Sequence, residues 1–218
     1  MAAPEVDEKT SDIKFNIRVV HDAFSACLLE NDDVAMDDYL LAYKELYNFF
    51  QLLGKVFGFV ASDVKSKIEI LEELRRGQNG EQFSTLKKMI KYESENGLLN
   101  KSDYTSGSRT LLRLHRGLDF IKLFLQKVGD LRDEDKTCSV CQEAYNSTLA
   151  NFHPWIVRKG ATVAMYALPT RAGLLQKVCG PDETQHVIDI LPKMLQVTGE
   201  AYDRTHRCYT ENNLHGLP

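Results

Sequence analysis

Arg109-Thr110-Leu111-Leu112-Arg113-Leu114-His115-Arg116-Gly117-Leu118-Asp119-Phe120 runs on through Ile121, Leu123, Phe124 and Leu125, and its reading decides the fold. At about 100° per residue, Arg109, Arg113 and Arg116 share one narrow helical stripe with Phe120, and Leu123 and Phe124 flank it. The other polar residues, His115, Asp119 and Lys122, gather on a different side that can face water. Like charges at i,i+4 repel, so arginines set among apolar neighbours point to an anion that the chain itself does not supply. Phosphate matches the guanidinium fork. The alternative is a solvated stripe whose aliphatic stems cover the neighbouring leucines.

Outward from this helix, no run alternates like a half-buried strand, and apolar periodicity predicts helices almost throughout. Residues 1–12 read as a disordered tail, followed by an amphipathic helix through Phe15, Val19, Phe24 and Leu28. Met36 to Leu53 is an aromatic-rich helix that Gly54 can close; its aromatics fit core packing, with cavity lining as the alternative. Ser62 to Leu74 and Phe83 to Tyr92 are further helices, and Glu95 to Ser108 is a polar loop leading to the arginine helix. Thr137 to Ile156 reads as one long helical stretch interrupted at His153-Pro154-Trp155. Ala161 to Leu168 favours helix over strand, and a last long helix starts near Pro181, kinks at Pro192 and reaches Tyr209. With no repeat, linker or shift in composition, the expectation is one all-α domain over residues 13–218.

Composition narrows the function. The 218 residues are 43% hydrophobic with a formal net charge of −4, which argues against a nucleic-acid binder held by bulk positive charge. The polar, acidic start is unlike a signal peptide and no window is apolar enough to span a bilayer, so a soluble intracellular protein is expected. Five cysteines without framework spacing suggest free thiols, and Cys138-Ser-Val-Cys141 lacks the further ligands that a zinc site needs. No P-loop, GxSxG elbow, GxGxxG or HExxH motif is present. No catalytic residue, metal site or cofactor is assigned.

Two further elements could carry chemistry. Helical spacing puts Asp63 and Lys67 on one face; alone this reads as a solvated bridge, but beside the arginines Asp63 could steady the cations and accept from a ligand N–H. His153 stands at a proline-broken junction where a neighbour can fix its ring, and Trp155, the single tryptophan, suits either the core or a membrane interface.

These elements together resemble the glycolipid transfer protein superfamily, and within it the branch that carries ceramide 1-phosphate. The resemblance runs from about Phe15 to Pro218 through Phe57-Gly-Phe-Val-Ala-Ser-Asp-Val-Lys-Ser-Lys67, the arginine helix, Tyr145-Asn-Ser-Thr-Leu-Ala-Asn-Phe-His-Pro-Trp-Ile-Val-Arg158 and Leu168-Pro-Thr-Arg171. It implies a two-layer helical sandwich enclosing a hydrophobic lipid pocket, with no cofactor and no covalent chemistry. It implies that Asp63 accepts from the sphingoid amide N–H and that His153 donates to the acyl-amide oxygen. Lys67 and Arg113 stand where glycolipid-binding members have asparagine and tryptophan for sugar, and Arg109 matches a phosphate-binding arginine. A further arginine expected in the preceding loop has no clear counterpart, Lys101 being the nearest basic residue.

The expected function is non-enzymatic transfer of ceramide 1-phosphate between membranes, with a lipid sensor acting on a protein partner or a glycolipid carrier as alternatives. Other phosphosphingolipids or phosphatidic acid are further candidate ligands. Trp155, with Arg158 and Lys159 nearby, is expected to dock transiently on membranes. The expected setting is the cytosol, in contact with intracellular membranes and the inner face of the plasma membrane, as a monomer without nucleic acid.

Overall fold

The computed structural model describes residues 13–54, 57–180 and 182–218. The tail expected over residues 1–12 and the helix start expected at Pro181 lie outside them. Among the described residues nine α-helices follow one another: α1 Ile17–Cys27, α2 Met36–Leu52, α3 Gly58–Arg76, α4 Leu86–Glu95, α5 Gly107–Gly129, α6 Thr137–Ser147, α7 Trp155–Met165, α8 Arg171–Cys179 and α9 Thr184–Glu211. Extended pairing is limited there to isolated bridges such as Ala35 with Thr85. The architecture is the expected all-α, two-layer helical sandwich.

The helix starts follow from local chemistry. Asn16, Thr85, Ser106 and Thr170 each use a side-chain oxygen to accept from a first-turn N–H, supplying a partner that the helix itself cannot. Gly54, at φ +100°, closes α2 as its sequence position predicts. The start of α5 is held most firmly. Glu93, fully buried on α4, accepts from Tyr104 Oη at 2.9 Å, Ser106 Oγ at 2.7 Å, Gly107 N at 2.6 Å and Ser108 N at 2.8 Å. A carboxylate there satisfies first-turn donors and opposes the positive end of the helix dipole.

The arginine helix is the central element. Leu111, Leu112, Leu114, Leu118, Ile121 and Phe124 are buried, and α5 packs against α3, α4, α6 and α9. α2 lies between α1 and α3, while α9 covers α1 and α5.

Four expectations need correction. His115 does not face water: it is 2% exposed, its ring stacked on Tyr202 of α9 with centroids 4.3 Å apart. The solvent side predicted for α5 is in fact its interface with α9, where polar residues are shared between two helices. The stretch from Thr137 is broken before the proline, at Thr148, and a 3-10 turn Leu149–Phe152 precedes α7. The helix expected from Phe83 starts at Leu86 after a separate 3-10 turn, Gly80–Phe83. Helix α8 was not anticipated, although its Thr170 cap and the left-handed Gly180 at its end are both readable signals.

Candidate functional site

A cavity of about 650 Å³ opens among α2, α3, α5, α6 and α7. Tyr43 and Phe50 of α2, Phe120 and Ile121 of α5, and Ala164 and Met165 of α7 supply apolar wall. The aromatic helix thus does both things weighed for it, since Tyr39, Leu46 and Phe49 pack in the core.

Asp63, Lys67, Arg113 and His153 all line this one cavity. Lys67 donates to Asp63 one turn earlier on α3, as the spacing predicts. Arg113 projects from α5 as an exposed side chain. His153 follows the 3-10 turn, and its Nδ1 lies 2.9 Å from Tyr145 Oη. Partial burial and the Lys67 ammonium lower its pKa, against the opposing pull of Asp63. The neutral imidazole is therefore favoured, with one N–H donor and one acceptor nitrogen.

The three arginines of the stripe have different surroundings. Arg109 is absent from the cavity wall and donates through Nη2 to the carbonyl oxygens of Lys101, at 3.3 Å, and Tyr104. Arg116 lines the cavity, yet its Nη2 donates to His215 O at 2.7 Å and its guanidinium covers the Phe152 ring at 4.2 Å. Burial and the nearby Arg113 charge lower the pKa of Arg116. Arg113 has no hydrogen bond or ion pair to another described residue, which leaves its guanidinium open to an anion.

Trp155 is not in the core: it is 60% exposed at the start of α7, with Lys159 Nζ 4.3 Å from its ring centroid. Ile156, Val163 and Tyr166 are exposed on the same helix or just past its end. Spacings of three, four and seven residues place Trp155, Lys159, Val163 and Tyr166 along one outward stripe.

Tyr145 and Phe152 are site residues that sequence reasoning did not single out. The eight-residue gap between Tyr145 and His153 carries no periodic signal across a 3-10 turn. Pro218 also lines the cavity, although its segment read only as a short tail. The five cysteines are free, and among the described residues no group of three His, Cys, Asp or Glu side chains could hold a metal ion. No described helix is long and apolar enough to cross a membrane.

A family model described as Glycolipid transfer protein (GLTP) matches residues 34–180, which include the cavity's polar residues. The chain belongs to the glycolipid transfer protein family.

Among members of the glycolipid transfer protein family, the Xenopus laevis ceramide-1-phosphate transfer protein is 42% identical over 210 residues, 94% of this chain and 97% of that protein. The crystal structure of the mouse ceramide-1-phosphate transfer protein, in its apo form, is similar with a TM-score of 0.88 and 38% identity, covering 94% of this chain and all of that one. The human ceramide-1-phosphate transfer protein in complex with 12:0 ceramide 1-phosphate has a TM-score of 0.84 at 36% identity, with coverage of 94% and 100%.

Proposed function

We propose that this protein moves ceramide 1-phosphate between membranes without catalysing a reaction. The observation that carries the reading is that Lys67 and Arg113, two cations, line the same apolar cavity as Asp63 and His153, one acceptor and one donor. A phosphosphingolipid needs this combination of anion site, amide reader and apolar space. Similarity to transfer proteins named for ceramide 1-phosphate, one of them solved with that lipid, supports the same assignment.

In this reading Lys67 and Arg113 take the phosphate, and Arg109 joins from one turn away by exchanging carbonyl oxygens for phosphate oxygens. Asp63 accepts from the amide N–H and His153 donates to the amide oxygen. The cavity holds chain carbons that water rejects: at roughly 0.8 kcal/mol per CH₂, a chain of about sixteen carbons puts more than ~10 kcal/mol in the way of desorption. Trp155 and the outward stripe of α7 rest on the membrane, with the bound lipid's exit beside them. The protein works in the cytosol as one lipid-transfer domain over residues 13–218, meeting membranes peripherally.

The test is vesicle-to-vesicle transfer of labelled ceramide 1-phosphate, with galactosylceramide in parallel. Catalytic quantities of protein should equilibrate the phosphate lipid between donor and acceptor vesicles. Stoichiometric binding without turnover would leave a sensor rather than a carrier, and equal transfer of both lipids would overturn the phosphate assignment.

A further inference from the structure

We propose that Tyr145 is a positioning residue that fixes the neutral tautomer of His153, so that the imidazole offers Nε2–H to a hydrogen-bond acceptor in the cavity. The inference rests on the reading of His153 as a ligand donor and adds the group that makes it one.

The geometry is specific. Tyr145 is 3% exposed on α6, and its hydroxyl has one hydrogen-bond partner among the described residues, His153 Nδ1 at 2.9 Å. A phenol that only accepted from Nδ1–H would leave its own O–H without an acceptor, at a cost for a buried donor. Donation from Tyr145 to Nδ1 avoids this, and the imidazole proton then resides on Nε2. Burial raises the Tyr145 pKa, against a smaller lowering by Arg158, so the phenol keeps its proton through the physiological range. The His153 Nε2 makes no hydrogen bond to another described residue, while the side chain contributes to the cavity wall.

The charged groups around His153 explain why such a device is useful. Asp63 and Lys67 face it from α3, Arg113 lines the cavity from α5, Arg116 covers neighbouring Phe152, and Arg158 is close enough to Tyr145 to act on its phenol. Among so many cations, protonation is an unreliable way to guarantee an N–H toward the ligand. A tautomer held by a phenol supplies that donor without a charge. It also disfavours an Nδ1–H form, whose Nε2 lone pair would face an acyl-amide oxygen and repel it.

The test is Tyr145→Phe, which keeps the buried ring and deletes only the hydroxyl. In ligand-free wild type, ¹⁵N imidazole NMR should show His153 with a protonated Nε2 and an unprotonated, hydrogen-bonded Nδ1; in the variant the tautomers should mix. Ceramide-1-phosphate binding to the variant should fall about fivefold at pH 8, the equivalent of one neutral hydrogen bond. Dividing variant by wild-type affinity at each pH removes the lipid phosphate's own titration. That ratio should return toward one in acid, where imidazolium carries both N–H groups. In a His153→Gln background the substitution should have no further effect.

A wild-type Nδ1–H tautomer would overturn the proposal even if the lipid binds as expected, and so would a pH-independent ratio. Absence of ceramide-1-phosphate binding by wild type would instead remove the functional reading, while the NMR result on empty protein would still decide the tautomer.

Discussion

Lys67 donates to Asp63 across one turn of α3, and the two ends of this pair are unequally wet: the Lys67 side chain is 13% exposed and that of Asp63 67%. A pair so open adds little to stability, and the exposed carboxylate keeps lone pairs for a ligand. On the proposed amide-reading roles, Asp63→Val and His153→Leu should each reduce ceramide-1-phosphate transfer by about tenfold or more, since each would remove a ligand partner and strand the group it served. The helical circular-dichroism spectrum should be unchanged and the melting temperature within a few degrees of wild type. If either variant unfolds, that residue serves the fold and not the amide.

In the proposed reading, Arg113 sets selectivity. A neutral glycosylceramide would leave Lys67 and Arg113 partly desolvated without an anion, and a choline phosphodiester would bring a second positive charge beside them. Wild type should transfer ceramide 1-phosphate and reject galactosylceramide and sphingomyelin. Arg113→Leu should abolish ceramide-1-phosphate transfer without creating glycolipid transfer, because leucine supplies no ring for a sugar. Gain of galactosylceramide transfer in this variant would show that charge alone had excluded the sugar.

If Trp155 docks as proposed, Trp155→Ala should weaken adsorption to vesicles by roughly threefold or more, because an exposed ring is lost from the outward stripe of α7. Lipid occupancy of the protein in solution should change little. The comparison is sedimentation with vesicles against direct binding of a short-chain lipid. Unchanged adsorption would remove Trp155 from the docking surface.

His115 predicts an acid limit to stability. Burial first, then the facing His206 and His215, Lys122 and Arg116, lower its pKa from 6.5 to about 3. The unfolded chain protonates this ring below its ordinary pKa while the folded chain does not. Stability from this group is therefore complete above pH 6.5 and declines as pH falls toward about 3. Denaturant titrations between pH 7.5 and pH 4.5 should show this fall, and His115→Phe, which keeps a ring against Tyr202, should flatten it. Parallel slopes for the two proteins would remove His115 as the cause.

Much of the fold was legible because its determinants are local. Ser106, Thr85 and Gly54 announce their helix ends by residue type, and apolar periodicity marks α5 as central. The partners across the core were not. His115 reads as solvent-facing until Tyr202, 87 positions later, is known to stack on it. The site divides in the same way. Asp63 with Lys67, and Arg113 within its stripe, follow from the geometry of single helices. That Arg109 spends its guanidinium on the carbonyls of Lys101 and Tyr104, and that Tyr145 meets His153 across a 3-10 turn, depends on loop paths that periodicity does not encode.

The four hydrogen bonds to the Glu93 carboxylate all come from the chain itself, so holding the start of the arginine helix requires no lipid. A shuttle that had to refold its binding helix around each cargo molecule would lose affinity to ordering at pick-up and would slow its own unloading. If the protein shuttles lipid as proposed, order built in during folding lets the arginine helix start from the same framework on the outward and return legs, and the journey back to the donor membrane needs no reassembly of the helix.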